Sequence, residues 1–296
     1  REVLTLIGSK EGIAHLPVAV VDPGRYVLVP KPGYPVYESA TVLAGGIVYE
    51  MGLTEANNWL PDLSEIPTDV LRRASLMYLN YPNNPTAATA TSEFYADVVA
   101  LAKDYDIVVA QDAAYSEVYF DARPISILQI EGAKDVAVEF HSLSKTFNMT
   151  GWRLGFAAGN AEVLAALAKV KSNMDSGQFS AIQWAGVEAL ANVEHVEVRA
   201  MLDIYRERRD ALVEGLESLG LRVRRPAATF YVWAACPERY RNDSIGFATK
   251  VLEEASVVLI PGVGFGRQGE GYFRAALTVP VERIREAVAR MSHLKL

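Results

Sequence analysis

The sequence predicts an α/β protein: a mostly parallel, seven-stranded type of sheet sandwiched by helices, followed by a smaller C-terminal α/β domain. Three observations carry this. Apolar runs of strand length are continuous rather than alternating, as in strands buried on both faces. Helix-period segments separate those runs in regular βα order, the pattern of a parallel sheet covered on both sides. And 296 residues suffice for one large core and a satellite.

In chain order, Tyr26–Val29, Ile47–Tyr49, Leu76–Leu79, Ile107–Ala110 and Ala137–Phe140 read as the buried strands. Helical patterns cover about Lys10–Val21, Val36–Leu43, Leu63–Arg73 and Glu93–Tyr105 between them. From about Ala181 to Gly220 the apolar spacing is helical almost without a break, with charged clusters such as "YRERRD" on the opposite face, so a long helix is expected to link two domains. Beyond it, Leu221–Val223, Thr229–Ala234, Val257–Ile260 and Tyr272–Ala276 read as strands. Helices are expected over Ser244–Glu254 and from Pro280, a residue suited to a first turn. The resulting division is a large domain over 1–180, a linking helix over 181–200 and a small domain over 201–296.

Half of the chain is apolar and 22% is charged, with a formal net charge of -7. That balance, without a Lys/Arg run, argues against nucleic-acid binding. The single cysteine, Cys236, excludes an internal disulfide framework, and His15, His141, His195 and His293 lack metal-ligand spacing, so no metal is expected. No apolar run approaches the roughly 20 residues of a spanning helix and no signal-peptide layout is present, so no membrane partner and a cytoplasmic location are expected. The chain opens at Arg1 without methionine, and upstream sequence is expected.

Open α/β sheets bind ligands beyond the carboxyl ends of their strands, so the residues following each strand carry most of the chemical information. "GSKEG" (Gly8–Gly12) opens a helix with small residues, leaving backbone N–H groups for an anion; an ordinary helix start is the plain alternative. "NYPNNPT" (Asn80–Thr86) aims Asn84 along a proline-stiffened course, or is only a tight turn. "QDAAY" places Asp112 at a strand end with Tyr115 three residues on. "HSLSKTFNMTGWRLGFAAGN" (His141–Asn160) sets Ser142, Ser144, Lys145 and Arg153 among Phe147, Met149 and Trp152, and packed cations need an anion. "GYFRAAL" buries Arg274 in an apolar strand, which is costly unless a carboxylate or phosphate meets it.

Together and in this order, these motifs resemble the pyridoxal-phosphate-dependent aminotransferases of fold type I, over all 296 residues. The resemblance implies pyridoxal 5'-phosphate as cofactor, an amino-acid donor, a 2-oxo acid acceptor and a ping-pong reaction through a lysine Schiff base. It implies that Lys145 attaches the cofactor and then moves a proton, and that Asp112 pairs with the pyridine nitrogen. Tyr115 and Asn84 would bond the ring's phenolic oxygen, and Tyr34 would stack near the ring. Ser9, Lys10, Ser142, Ser144 and Arg153 would hold the phosphate, and Arg274, with Asn84 beside it, the substrate carboxylate. Domain 1–180 would bind the cofactor.

Within the family, "GSKEGIAHLP", "YPNNPTA", "QDAAYSEV", "SKTFNMTGWRLGFAAGN" and "KSNMDSGQFSAIQ" look most similar to the LL-diaminopimelate aminotransferase subgroup, acting with 2-oxoglutarate. Aspartate, alanine, glutamate or succinyl-diaminopimelate as donor, a lyase on the same fold, and a cofactor-binding regulator stand as alternatives. Ala87 departs from the family's usual glycine after "NPT", and Ala113–Ala114 from an acidic neighbour of the aspartate. The family also implies a homodimer with shared sites, for which the turn Asn173–Gln178 is the candidate contribution. His141 is expected to be a packed strand-end residue, and Phe230, Tyr231 and Trp233 core rather than substrate wall.

Overall fold

The computed structural model describes residues 2–295. Seven strands form the larger sheet: β1 (Val3–Leu6), β2 (Tyr26–Lys31), β3 (Ile47–Gly52), β4 (Ala74–Asn80), β5 (Val108–Asp112), β6 (Ala137–Ser142) and β7 (Gly155–Gly159), in the spatial order β1-β7-β6-β5-β4-β2-β3. Strands β3, β2, β4, β5 and β6 run parallel, while β7 is antiparallel to both β6 and β1. The core strands are apolar on both faces because helices cover both. Leu28, Met77 and Val109 pack to one side with Tyr95 and Val98, whereas Val27, Leu76 and Ala110 pack to the other with Ile13, Leu16 and Tyr37.

The helices through this part are α1 (Ser9–Val20), α2 (Val36–Leu43), α3 (Thr68–Leu71), α4 (Ser92–Tyr105), α5 (Leu143–Thr146) and α6 (Ala161–Met174). Helix α4 starts where the Thr91 hydroxyl accepts from the Phe94 N–H, and α6 where the Asn160 side chain accepts from Glu162 and Val163. The helix expected over 63–73 is instead a 3-10 turn, Leu63–Glu65, and the single turn α3. Pro67 separates them, since the residue before a proline is pushed out of helical geometry.

The linking helix expected over 181–200 is also corrected. Two helices stand there, α7 (Ser180–Ala191) and α8 (Val196–Ser218), interrupted at 192–195, where His195 caps α8 by accepting from Glu197 N–H. A three-stranded antiparallel sheet follows, ordered β8-β10-β9, from β8 (Tyr231–Ala235), β9 (Ile260–Pro261) and β10 (Tyr272–Ala276), packed with α9 (Ser244–Ala255) and α10 (Val281–Met291). Val223 makes only an isolated bridge to Ala234 in place of the strand expected at 221–223. Backbone hydrogen bonds from Phe120 to Ala227 and from Thr229 to Val118 stitch the segment preceding β8 to the loop after β5. No helix among the described residues is long and apolar enough to cross a membrane.

Candidate active site

A cavity of about 480 Å³ opens where the parallel strands end, and the smaller sheet closes its other side. Every residue given a cofactor or substrate role from the sequence lines it: Ser9, Lys10, Tyr34, Asn84, Asp112, Tyr115, Ser142, Ser144, Lys145, Arg153 and Arg274. Their common location follows from topology. Asp112 and Ser142 are the last residues of the adjacent parallel strands β5 and β6, Asn84 follows β4, and Lys145 lies on the single turn α5 that starts directly after β6.

Asp112 is 5% exposed. Its Oδ2 accepts from the Tyr37 hydroxyl at 2.8 Å and its Oδ1 from the Ala114 N–H at 3.2 Å. Burial pushes this carboxyl up to about 6, against the downward pull of those two bonds and of the nearby His141 and Lys145. A buried carboxylate of this kind is stabilised by a positively charged partner. Asn80 braces the surrounding backbone: its amide donates to the Asp112 carbonyl at 2.8 Å and its Oδ1 accepts from the Asn84 N–H at 2.9 Å.

Lys145 lies with its Nζ 5.9 Å from the Tyr115 ring centroid and 5.4 Å from that of Phe230. Burial lowers its pKa, and the positive charges of Arg153 and Arg274 add to that, while Asp112 opposes it. A lysine so placed releases a proton more readily than a solvated one, as a lysine that forms covalent adducts or shuttles protons must. Tyr115 is buried, which raises its pKa, and its hydroxyl meets that of Tyr231 at 3.4 Å.

The N-terminus of α1 has no side-chain cap, and it is faced by Arg153. At Gly8, which has φ +73, a Cβ would lie 2.6 Å from Nη2 of Arg153, so only glycine lets this guanidinium approach the turn. Arg153 itself is left-handed at φ 53 and donates through Nη1 to the Thr150 carbonyl at 3.0 Å and more weakly to Ser144 Oγ at 3.4 Å. Among the described residues it has no ion-pair partner. Free helix N–H groups, serine hydroxyls and an uncompensated arginine form an oxyanion cradle suited to a phosphate.

Arg274 comes from β10 and lies between two aromatic faces, its guanidinium carbon 4.0 Å from the Tyr231 centroid and 4.7 Å from that of Phe265. Nη1 donates to Asn84 Oδ1 at 2.6 Å, whereas Nε is buried with no partner. Burial lowers its pKa, and no carboxylate pairs with it among the described residues. The orphaned Nε edge offers a planar fork for a carboxylate. The residues present therefore fit a phosphorylated group with a cationic partner for Asp112, together with a carboxylate ligand: an anion cradle, a buried carboxylate, a pKa-lowered amine and a second arginine share one cavity.

Sequence reading missed Tyr37, Asn80, Ile260 and Phe265 as contributors. Tyr231, expected as core, is only partly buried and lines the cavity, while Phe230 and Trp233 are buried as expected. His141 is packed on Phe156 and bonds Glu139 at 2.8 Å. The turn 173–178 sends Gln178 back onto its own chain, where it donates to the Leu6 carbonyl. Glu11, His15 and Asp175 come together although the histidine spacing gave no sign of a cluster, and the Lys171 ammonium already bonds Glu11.

Comparison with known proteins gives a consistent picture. A family model described as aminotransferase class I and II matches residues 1–291. The LL-diaminopimelate aminotransferase of Syntrophobacter fumaroxidans is 57% identical over 294 residues, 99% of this chain and 75% of the relative. That of Aquifex aeolicus is 55% identical over 296 residues, 100% of this chain and 76% of the relative. Among solved structures, substrate-bound BacF from Bacillus subtilis superposes with a TM-score of 0.94 at 41% identity, covering 98% of this chain and 74% of that one.

Proposed function

The chain belongs to the class I and II aminotransferases, enzymes that exchange an amino group between an amino acid and a 2-oxo acid, and from that premise we propose that it uses pyridoxal 5'-phosphate to transfer the amino group of LL-diaminopimelate to 2-oxoglutarate. The observation that carries the reaction class to this site is the convergence of eleven residues, scattered from Ser9 to Arg274, on one cavity. The donor is supported by the 57% and 55% identical relatives of that name.

When bound, the cofactor supplies an electron sink for the bond broken at the substrate α-carbon. The protein supplies the rest. Ser9, Lys10, Ser142, Ser144 and Arg153 would hold the phosphate, and Tyr34 would flank the ring. Asp112 would pair with the pyridine nitrogen and keep it protonated, while Tyr115 and the Asn84 amide would be the donors to the phenolic oxygen. Lys145 anchors the cofactor and carries the proton to and from the substrate α-carbon. Arg274, its Nη1 committed to Asn84, takes the α-carboxylate on its remaining edge and so fixes which end of the amino acid reaches Lys145.

An amino-donor panel with 2-oxoglutarate tests the substrate, with LL-diaminopimelate expected to give the highest kcat/KM. A higher value for aspartate, alanine, glutamate or succinyl-diaminopimelate would overturn the donor assignment. Release of ammonia without glutamate would replace transamination by elimination.

The reading includes a homodimer with shared sites, supported by the outer face of α7. Phe179 at its N-cap and Trp184 and Val187 on the helix are 75%, 72% and 56% exposed, a cost in water that a second copy removes. Sedimentation is expected to give twice the chain mass, and Trp184→Glu to shift it toward the monomer; a monomeric parent chain would refute the dimer. It also includes a cofactor-binding domain over 1–180 and a small domain over 201–296, joined through 181–200, where α7 gives way to α8, and a cytoplasmic setting, in keeping with the free, buried Cys236.

A further inference from the structure

We propose that Tyr37 is the positioning residue that keeps Asp112 ionised and aimed into the cavity, an inference that rests on the role given to Asp112 above. Tyr37 does not line the cavity. It is fully buried, and its hydroxyl donates to Asp112 Oδ2 at 2.8 Å. Three contacts fix the ring and its backbone. It stacks on Tyr78 with centroids 4.8 Å apart, it receives the edge of Tyr34 at 5.8 Å, and its carbonyl accepts from the Thr41 hydroxyl at 2.7 Å.

The neighbouring phenol cannot substitute for it, because Tyr78 donates its own hydroxyl to the Ile13 carbonyl at 2.8 Å. Among the described residues, Asp112 then has two donors, Tyr37 and the Ala114 N–H, and the first is the only side chain. One turn of chain thus serves both jobs: Tyr34 lines the cavity and Tyr37, three residues on, reaches behind it to the carboxylate. A carboxylate has room for about four donors, so the bond from Tyr37 leaves lone pairs for a cationic ring partner.

Other charged or titratable groups face Asp112 from the elements packed around it. Tyr78 comes from β4, Tyr115 from the loop after β5, His141 from β6 and Lys145 from α5. His141 and Lys145 favour the ionised carboxyl through space, but neither bonds it. Burial drives Tyr37 well above its ordinary pKa, so it stays a protonated donor at every pH at which the fold is studied.

The test is urea denaturation of the full chain, stripped of cofactor, across about pH 5 to pH 8, comparing the parent with Tyr37→Phe, Asp112→Asn and the double variant. The folded Asp112 carboxyl is raised from 3.8 to about 6, so the folded state holds this proton more tightly than the unfolded one. Its contribution to stability therefore falls as pH climbs between those values and is level above them. Loss of a hydrogen bond to a charged group moves the upper limit by roughly one to two pH units. Tyr37→Phe is accordingly expected to keep losing stability above pH 6, where the parent is level, and Asp112→Asn to abolish that difference.

Parallel curves for the parent and Tyr37→Phe would overturn the proposal, leaving Tyr37 a packing residue. Should Tyr37→Phe not fold, adding Asp112→Asn must restore folding, because it removes the stranded charge; failure of the double variant would equally overturn it. Pyridoxal phosphate titration of the same chains separates the two levels of inference. Roughly tenfold weaker binding by Tyr37→Phe at pH 8 is expected. A parent chain that binds none would refute the functional reading while leaving the denaturation result to decide Tyr37.

Discussion

Lys145→Ala is expected to lower turnover by about four orders of magnitude or more, some 5 kcal/mol of barrier, because both the anchoring amine and the proton carrier are lost at once. Single-turnover kinetics with an amino donor measure this. Borohydride reduction followed by mass spectrometry is expected to fix cofactor on Lys145 in the parent and on no residue in the variant. Lys145→Arg is the informative control, since it keeps a cation but holds its proton at any accessible pH. The cradle of Ser9, Ser144 and Arg153 is untouched in both, so cofactor still enters. Turnover within tenfold of the parent in Lys145→Ala would sink the assignment.

Arg274→Ala is the second large effect, with kcat/KM for donor and acceptor both reduced by about a hundred- to a thousandfold, the consequence of leaving a desolvated carboxylate without its counter-ion. The loss should fall mainly on KM for the two substrates alike, since the α-carboxylate is common to them. Arg274→Lys is expected to recover little. An ammonium offers no planar fork and fits poorly between Tyr231 and Phe265, whose faces hold the guanidinium at 4.0 and 4.7 Å. If both Michaelis constants were unchanged in Arg274→Ala, carboxylate recognition would have to lie elsewhere.

Strands β2, β4 and β5 were legible because each contains an uninterrupted apolar run that needs burial on both faces, whereas β3, at the sheet edge, and β6, interrupted by Glu139, were legible from shorter apolar runs in the same βα order. Strands β1 and β7 were not. β1 lies at the edge of the sheet, and Val3 is 59% exposed. β7 is "GFAAG", a composition that reads as loop. The structure shows why small residues stand there: a Cβ at Gly155 would lie 2.6 Å from the His141 carbonyl oxygen and 2.7 Å from Ser9 N, and one at Gly159 would lie 2.3 Å from the Ala137 carbonyl oxygen. Close approach of the neighbouring strand β6 at both positions, and of the start of α1 at Gly155, selects glycine.

Most of the polar site residues were legible because they lie at or after strand ends, where the fold concentrates chemistry, and Arg274 because it is a charge inside the apolar strand β10. The second layer was not. Tyr37 acts through a partner 75 residues away, and nothing local in "YPVY" distinguishes its hydroxyl from that of a core tyrosine. Ile260 and Phe265 were missed for another reason, since apolar wall residues carry no chemical signature until the fold shows what they face. The interruption at 192–195 escaped because helical periodicity continues across it.

The cavity has two walls of separate origin. Lysine, aspartate and the anion cradle come with the seven-stranded sheet, whereas Tyr231, Ile260, Phe265 and Arg274 come from the three-stranded one. Under the proposed function the two walls differ in heredity: a substitution at Ile260 is free to retune which amino acid is welcomed, whereas Tyr231 and Phe265, which hold Arg274 and, for Tyr231, the Tyr115 hydroxyl, tie the second wall to the first.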